Sequence, residues 1–304
     1  MIKSHTLENQ FLKIKTINIG ASLYEVVDKR KKINLILNLG NYKNYLNNKP
    51  YLGATCGRFA NRIKNAKFKI NSKTYQLSKN EGRNILHGGH QGFDSKVWKI
   101  KAQTSNSITY EYLSPHLEEG FPGNIKVQCK YQINKNSFKI IFSAQSDQKS
   151  HINLVNHAYW NLNKSKTTIF DHFLLINANS YLKNDSSNIP TGEYKNVNQT
   201  PYDFRQFRHI GQQIELNHGP FDENFVLNKH ARTEPRYEGD DMALHFCKTR
   251  EQVYDLAVWH LLTACAFIKP DFKISRDNHN FTESLEAMKV NGKDTHITNE
   301  AVNG

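Results

Sequence analysis

Lys67-Phe68-Lys69-Ile70-Asn71-Ser72-Lys73-Thr74-Tyr75-Gln76-Leu77 is the stretch on which the fold reading turns. Phe68 and Ile70 alternate with Lys67 and Lys69, a polar Asn71-Ser72 pair interrupts, and Tyr75 and Leu77 resume the alternation. Side chains of a strand point to opposite faces at every step, so this pattern predicts a half-buried hairpin closed by a short turn. The same period of two recurs in Phe11-Leu12-Lys13-Ile14-Lys15-Thr16-Ile17-Asn18-Ile19, at Ser107 to Tyr112, at Ile125 to Ile133 and at Phe138 to Ala144. Several such strands with no helical period between them predict an all-β, antiparallel sandwich. No repeat, linker or low-complexity tract divides the first three-quarters of the chain, and residues 1–304 read as a single β-sandwich domain.

The 304 residues are 38% hydrophobic and 11% aromatic, enough for a sizeable core. The net charge of +13 raises the question of a nucleic-acid or membrane partner. The lysines, however, are scattered among asparagines and tyrosines, as in Asn41-Tyr42-Lys43-Asn44-Tyr45, and form no long basic run. The expectation is therefore no nucleic-acid partner and no membrane. The N-terminal residues Met1 to Glu8 have no apolar core of a signal peptide, and no apolar stretch reaches spanning length. Cys56, Cys129, Cys247 and Cys265 are far apart, without a CxxC pair. They read as reduced thiols of a cytoplasmic protein rather than as a disulfide framework or zinc site.

Four polar clusters carry possible chemistry, and each has a plain structural alternative. Gly57-Arg58-Phe59-Ala60-Asn61-Arg62-Ile63 concentrates polar side chains, and by spacing alone it reads as a solvated loop. Asn84-Ile85-Leu86-His87-Gly88-Gly89 sets an imidazole in a glycine turn where little shields it from a ligand. Asn153-Leu154-Val155-Asn156-His157-Ala158-Tyr159-Trp160 puts a second histidine among asparagines and aromatics, a pattern equally suited to a satisfied core histidine. Tyr159 and Trp160 read as core. Gly219-Pro220-Phe221-Asp222-Glu223-Asn224-Phe225 places two carboxylates in a turn before a strand.

Taken together, Leu52-Gly53-Ala54, Gly57-Arg58, Asn61-Arg62-Ile63, Leu86-His87-Gly88-Gly89, Gly92-Phe93-Asp94, Val97-Trp98, Glu119-Gly120-Phe121-Pro122-Gly123, Asn153 to His157, Ile189-Pro190-Thr191-Gly192 and Phe221 to Phe225 resemble the aldose 1-epimerase (mutarotase) family in order and spacing. The resemblance covers roughly residues 7–230. It implies a galactose-mutarotase-type sandwich that interconverts the α and β anomers of a free hexose, with a small-molecule sugar as partner and no cofactor. By resemblance His157 is the general acid at the ring oxygen and His87 the second active-site histidine. Asn61, Arg62, His87 and Asp222 bind sugar hydroxyls.

The resemblance weakens after about residue 231. The family's general base is a glutamate in a strand on the order of sixty residues beyond its binding aspartate, and Glu286 is the match by position. The neighbouring glycine and glutamine are missing: Ser284-Leu285-Glu286-Ala287-Met288 stands there, and Glu283 competes. Local signals favour a helix, with Asn280 as cap and Asn291-Gly292 as stop. Thr249-Arg250-Glu251-Gln252 replaces a sugar-contacting segment of the family. Two alternatives to an active epimerase therefore stay open: a carbohydrate-binding relative with a degenerate C-terminal region, and a hexose-phosphate epimerase.

Overall fold

The structure, a computed structural model, describes residues 1–164 and 168–228, with the backbone of four short strands further on, Arg236–Gly239, Met242–His245, Lys289–Val290 and Lys293–Asp294. Glu286, Glu283, Gln252 and the helix expected from Asn280 lie outside the described residues, as does most of the divergent tail.

Among the described residues, two of the three four-stranded antiparallel sheets enclose the main core. The first runs in chain order through Ser4–Glu8, Leu12–Ile17, Ser22–Asp28 and Ile33–Asn34. The second is a meander of Lys99–Gln103, Ser107–Ser114, Ile125–Asn134 and Ser137–Ser146. Alternation sets the register here. Ile125, Val127, Cys129, Tyr131 and Ile133 are buried while Lys126 between them is exposed, and a slip of one residue would turn the whole apolar set to water. Across the pair, Cys129 stands opposite Phe142 and Tyr131 opposite Ile140.

One core cluster joins both sheets, with Leu7, Ile14, Leu23 and Val26 from the first and Ile108, Val127, Tyr131 and Phe142 from the second. Full burial of each large apolar side chain contributes about 1.5–3 kcal/mol. The buried hydroxyls of Tyr131, Thr16 and Tyr110 are satisfied across the layers. Tyr131 Oη donates to the Ala21 carbonyl at 2.6 Å and accepts from Asn156 Nδ2 at 3.0 Å, and Thr16 Oγ1 meets Tyr110 Oη at 2.8 Å.

The opening hairpin forms as its sequence predicts. Lys67–Ile70 pairs with Lys73–Gln76, with Phe68 opposite Tyr75 and Asn71 in the left-handed region at φ 55°. Phe68 packs with Ile63, Leu77, Ile85 and Phe121 in a satellite core beneath the polar loops. A three-stranded sheet of Ala178–Asn184, Pro190–Asn196 and Asn224–Leu227 presents the turn that carries Asp222. Among the described residues no helix is long and apolar enough to cross a membrane, and the one α-helix, Ile210–Leu216, is short.

Candidate active site

The Gly57–Ile63 segment divides its polar residues between two tasks, and the solvated-loop reading fails at its centre. Arg58 is 2% exposed and points inward. Its guanidinium donates to Ser114 Oγ at 2.8 Å and to the carbonyls of Ser114, Pro115, Phe121 and Pro122. Burial pulls it down to about 10, against the attraction of the Glu118 carboxylate, so it remains a cation. Arg58 thereby ties this segment to the Glu119–Gly123 motif. Of the side chains that follow, Phe59, Ala60 and Ile63 pack into apolar clusters, and Asn61 and Arg62 are half-buried polar groups.

Two short strands set the first wall. Arg62–Ile63 pairs with Ile85–Leu86. Beside them Asn61 and His87 exchange bonds: the His87 N–H donates to the Asn61 carbonyl at 3.1 Å, and the Asn61 N–H donates to His87 Nδ1 at 3.1 Å. Both residues hold positive φ, 65° and 52°. Gly88 follows at φ 92°, and a Cβ there would lie 1.8 Å from the Gly57 carbonyl oxygen, so only glycine lets the loops approach this closely. Asn80 and Asn84 act on the backbone. Asn80 brackets Leu86 and Gly89, and Asn84 Oδ1 accepts from the Asn65 N–H. Glu119 closes the loop by accepting from the His90 and Gln91 N–H groups at 3.1 and 3.0 Å.

The second wall comes from the strand pair Thr55–Cys56 and Val155–Asn156. It places His157 next in line, with its N–H donating to the Ala54 carbonyl and its carbonyl accepting from the Gly53 N–H. The His157 ring meets the His87 ring edge-on, centroids 5.1 Å apart. Tyr51 lies against both, at 4.7 Å from His87 and 5.8 Å from His157. Tyr159 flanks His157 at 5.2 Å and anchors its hydroxyl on the Pro50 carbonyl. Trp160 is a core residue packed against Phe138, as expected.

Electrostatics fix the protonation states. Burial, with His157 and Arg62 nearby, holds His87 well below the ordinary imidazole value. Since its Nδ1 accepts, the neutral ring carries its proton on Nε2. Burial likewise lowers His157 to about 4. Both imidazoles are thus neutral near pH 7. Burial also raises the Tyr51 hydroxyl, keeping it protonated.

Arg62 and Asp222 form the polar end. Arg62 Nη1 stands 3.9 Å from Asp222 Oδ2 and 3.5 Å from Asn61 Oδ1. A gap of 3.9 Å is too long for a direct hydrogen bond but suits one hydroxyl oxygen, accepting from Arg62 and donating to Asp222. Glu81 grips the other edge of Arg62, and Asn188 Nδ2 donates to Asp222 Oδ2 at 2.7 Å. Glu81, Asn188 and Tyr51 had no signal of their own in the sequence. Of the expected residues, Asn61 is hydrogen-bonded to His87, Arg62 lies close to Asp222, and His87 packs on His157. The expected base, Glu286, lies outside the described residues.

An antiparallel sandwich whose loops hold two neutral histidines beside an arginine–carboxylate pair defines a protein that handles a hydroxylated ligand by proton transfer. The aldose 1-epimerase family model matches residues 3–282. Among curated relatives, the galactose mutarotase of Pongo abelii is 36% identical over 231 residues, 74% of this chain and 67% of that protein. The aldose 1-epimerase of Haemophilus influenzae is 37% identical over 194 residues, 61% of this chain and 56% of that one. Among solved structures, an aldose epimerase homologue from C. elegans superposes with a TM-score of 0.74 at 27% identity, covering 79% of this chain and 76% of the other. The chain belongs to the aldose 1-epimerase family.

Proposed function

We propose that the protein is an aldose 1-epimerase that interconverts the α and β anomers of a free hexose, galactose or glucose. Opening the hemiacetal requires a proton at the ring oxygen and loss of one from the anomeric hydroxyl. Rotation next to the anomeric carbon and reclosure on the other face then exchange the anomers, and one acid and one base suffice. The reaction needs no metal, nucleotide or redox group.

The observation that carries this reading is the 5.1 Å contact of His157 with His87, in a pocket where Asn61 connects His87 to Arg62. His157 is the proton donor to the ring oxygen. His87, with its proton on Nε2, donates to the sugar oxygen on which charge develops. Asn61, Arg62 and Asp222 hold hydroxyls. Burial alone keeps His157 neutral near pH 7, so its acid role calls for a facing carboxylate, whose charge raises an imidazole by attraction. Glu286 is our candidate for that carboxylate and for the base at the anomeric hydroxyl.

An uncharged sugar suits the site better than a hexose phosphate, because Arg62, and Lys64 two residues on, already face acids. Arg62 stands between Glu81 and Asp222, and Lys64 lies 3.6 Å from Asp185. We also read the protein as cytoplasmic, a reading supported by the buried thiols of Cys56 and Cys129. The test is polarimetry on freshly dissolved α-galactose. Mutarotation faster than buffer, and at least about a hundredfold slower in His157→Gln, is expected. A rate equal to buffer would remove the catalytic reading and leave a sugar-binding protein.

A further inference from the structure

Arg62 and Asp222 carry opposite charges and stand 3.9 Å apart without closing on each other. Each is held from behind. Arg62 Nε donates to Glu81 Oε2 at 2.6 Å and Nη2 donates to Glu81 Oε1 at 2.8 Å. Two parallel charge-assisted bonds fix the guanidinium plane as well as its position. On the other side Asn188 Nδ2 donates to Asp222 Oδ2, and Asn184 Nδ2 donates to the Asp222 carbonyl at 2.6 Å. Glu81 is set firmly enough for this task. Its N–H donates to the Asn84 carbonyl, and its carbonyl accepts from the Asn84 N–H at 2.9 Å. The side chain of Arg62 is 10% exposed and that of Glu81 36%, so the carboxylate forms the outer side of the pair and the guanidinium the inner one.

We propose that Glu81 is a positioning residue that keeps Arg62 from collapsing onto Asp222 and so holds open the slot for a sugar hydroxyl. This rests on the reading of Arg62 and Asp222 as hydroxyl-binding groups. With Glu81 in place, two N–H groups of the guanidinium are committed, and the Nη1 edge alone faces Asp222. Without the carboxylate, the nearest acid to Arg62 among the described residues is Asp222. The two then pair directly, and a sugar must break that pair before it can bind. Such a loss falls on ground-state binding and leaves the proton transfers at His157 untouched.

The experiment is steady-state mutarotation of galactose by wild type, Glu81→Gln, Arg62→Lys and the double variant. Glu81→Gln is expected to raise KM about tenfold, the cost of about one charge-assisted hydrogen bond, with kcat within about twofold. In the Arg62→Lys background the same change is expected to cost little, because an ammonium cannot take the two-pronged grip; non-additivity of this kind marks residues that act as a unit. Glu81→Asp, which is too short to make both bonds, should fall between. A loss confined to kcat, or an equal cost in both backgrounds, overturns the proposal. A second readout is independent of turnover. The Arg62 Nε–H signal in proton–nitrogen spectra should be slowly exchanging in the unliganded wild type and lost in Glu81→Gln. If the wild type turns over no hexose, the functional reading fails, and that signal decides the proposal: its persistence in Glu81→Gln overturns it.

Discussion

Asn61 and His87 are locked to each other by two hydrogen bonds of 3.1 Å, one from each backbone N–H, and only one of them ends on a side chain. The bond to His87 Nδ1 selects the tautomer. Nitrogen spectra of histidine-labelled protein at neutral pH should therefore show His87 with its proton on Nε2 and a bare Nδ1. The ring should not titrate near the ordinary value of about 6.5. A titration midpoint there would contradict the assignment.

Loss of the proposed proton donor should act on the chemical step. His157→Gln keeps a polar side chain of similar reach but cannot carry a proton between partners. A fall in kcat of about a hundredfold to ten-thousandfold with a small change in KM is expected. Polarimetry over a range of galactose concentrations separates the two constants.

Arg58 should matter to stability rather than to turnover per folded molecule. Its guanidinium satisfies four carbonyls and a hydroxyl in a dry setting. Lysine supplies charge without the fork, leaving buried acceptors unsatisfied, so Arg58→Lys should lose about 2–4 kcal/mol in urea unfolding. A change within about 0.5 kcal/mol, the usual range for surface positions, would show that the contacts are dispensable.

The pH dependence of stability contains two opposing parts. Burial lowers His157 from 6.5 to about 4. Between those values the unfolded chain takes a proton that the folded chain refuses, so stability drops as pH falls through the window, by up to about 3 kcal/mol. His87 acts in the same sense. Asp94 does the reverse: burial raises it from 3.8 to about 7, so the folded chain keeps a proton that the unfolded chain loses, and stability drops as pH rises. Asp94→Asn removes the second part. Its urea midpoint should climb between about pH 4.5 and 6.5 more steeply than that of the wild type. A flatter curve in the variant would reverse the assignment.

The sandwich was legible where one strand face is buried, because burial imposes the period of two; Ile125 to Ile133 and the hairpin at Phe68 both follow it. Asn61, Arg62, His87, His157 and Asp222 were legible as a family pattern, though not as neighbours. Arg58 misled because composition alone cannot tell an arginine that faces water from one that faces carbonyls. Glu81 and Asn188 were invisible for a related reason. Their roles exist only through partners 19 and 34 residues away in sequence. Tyr51 likewise gains meaning only when a turn brings it against both histidines.

The stitching of the loops has a consequence for redesign. Arg58 fastens the Gly57–Ile63 segment to Ser114, Pro115, Phe121 and Pro122, while Glu119 fastens the following stretch to His90 and Gln91. No single loop of this pocket is a cassette. Grafting a new specificity loop from another sandwich at 57–63 alone would strand the carbonyls of its distant partner, and grafting at 86–91 alone would strand Glu119. A successful chimera has to transplant the three segments as one piece.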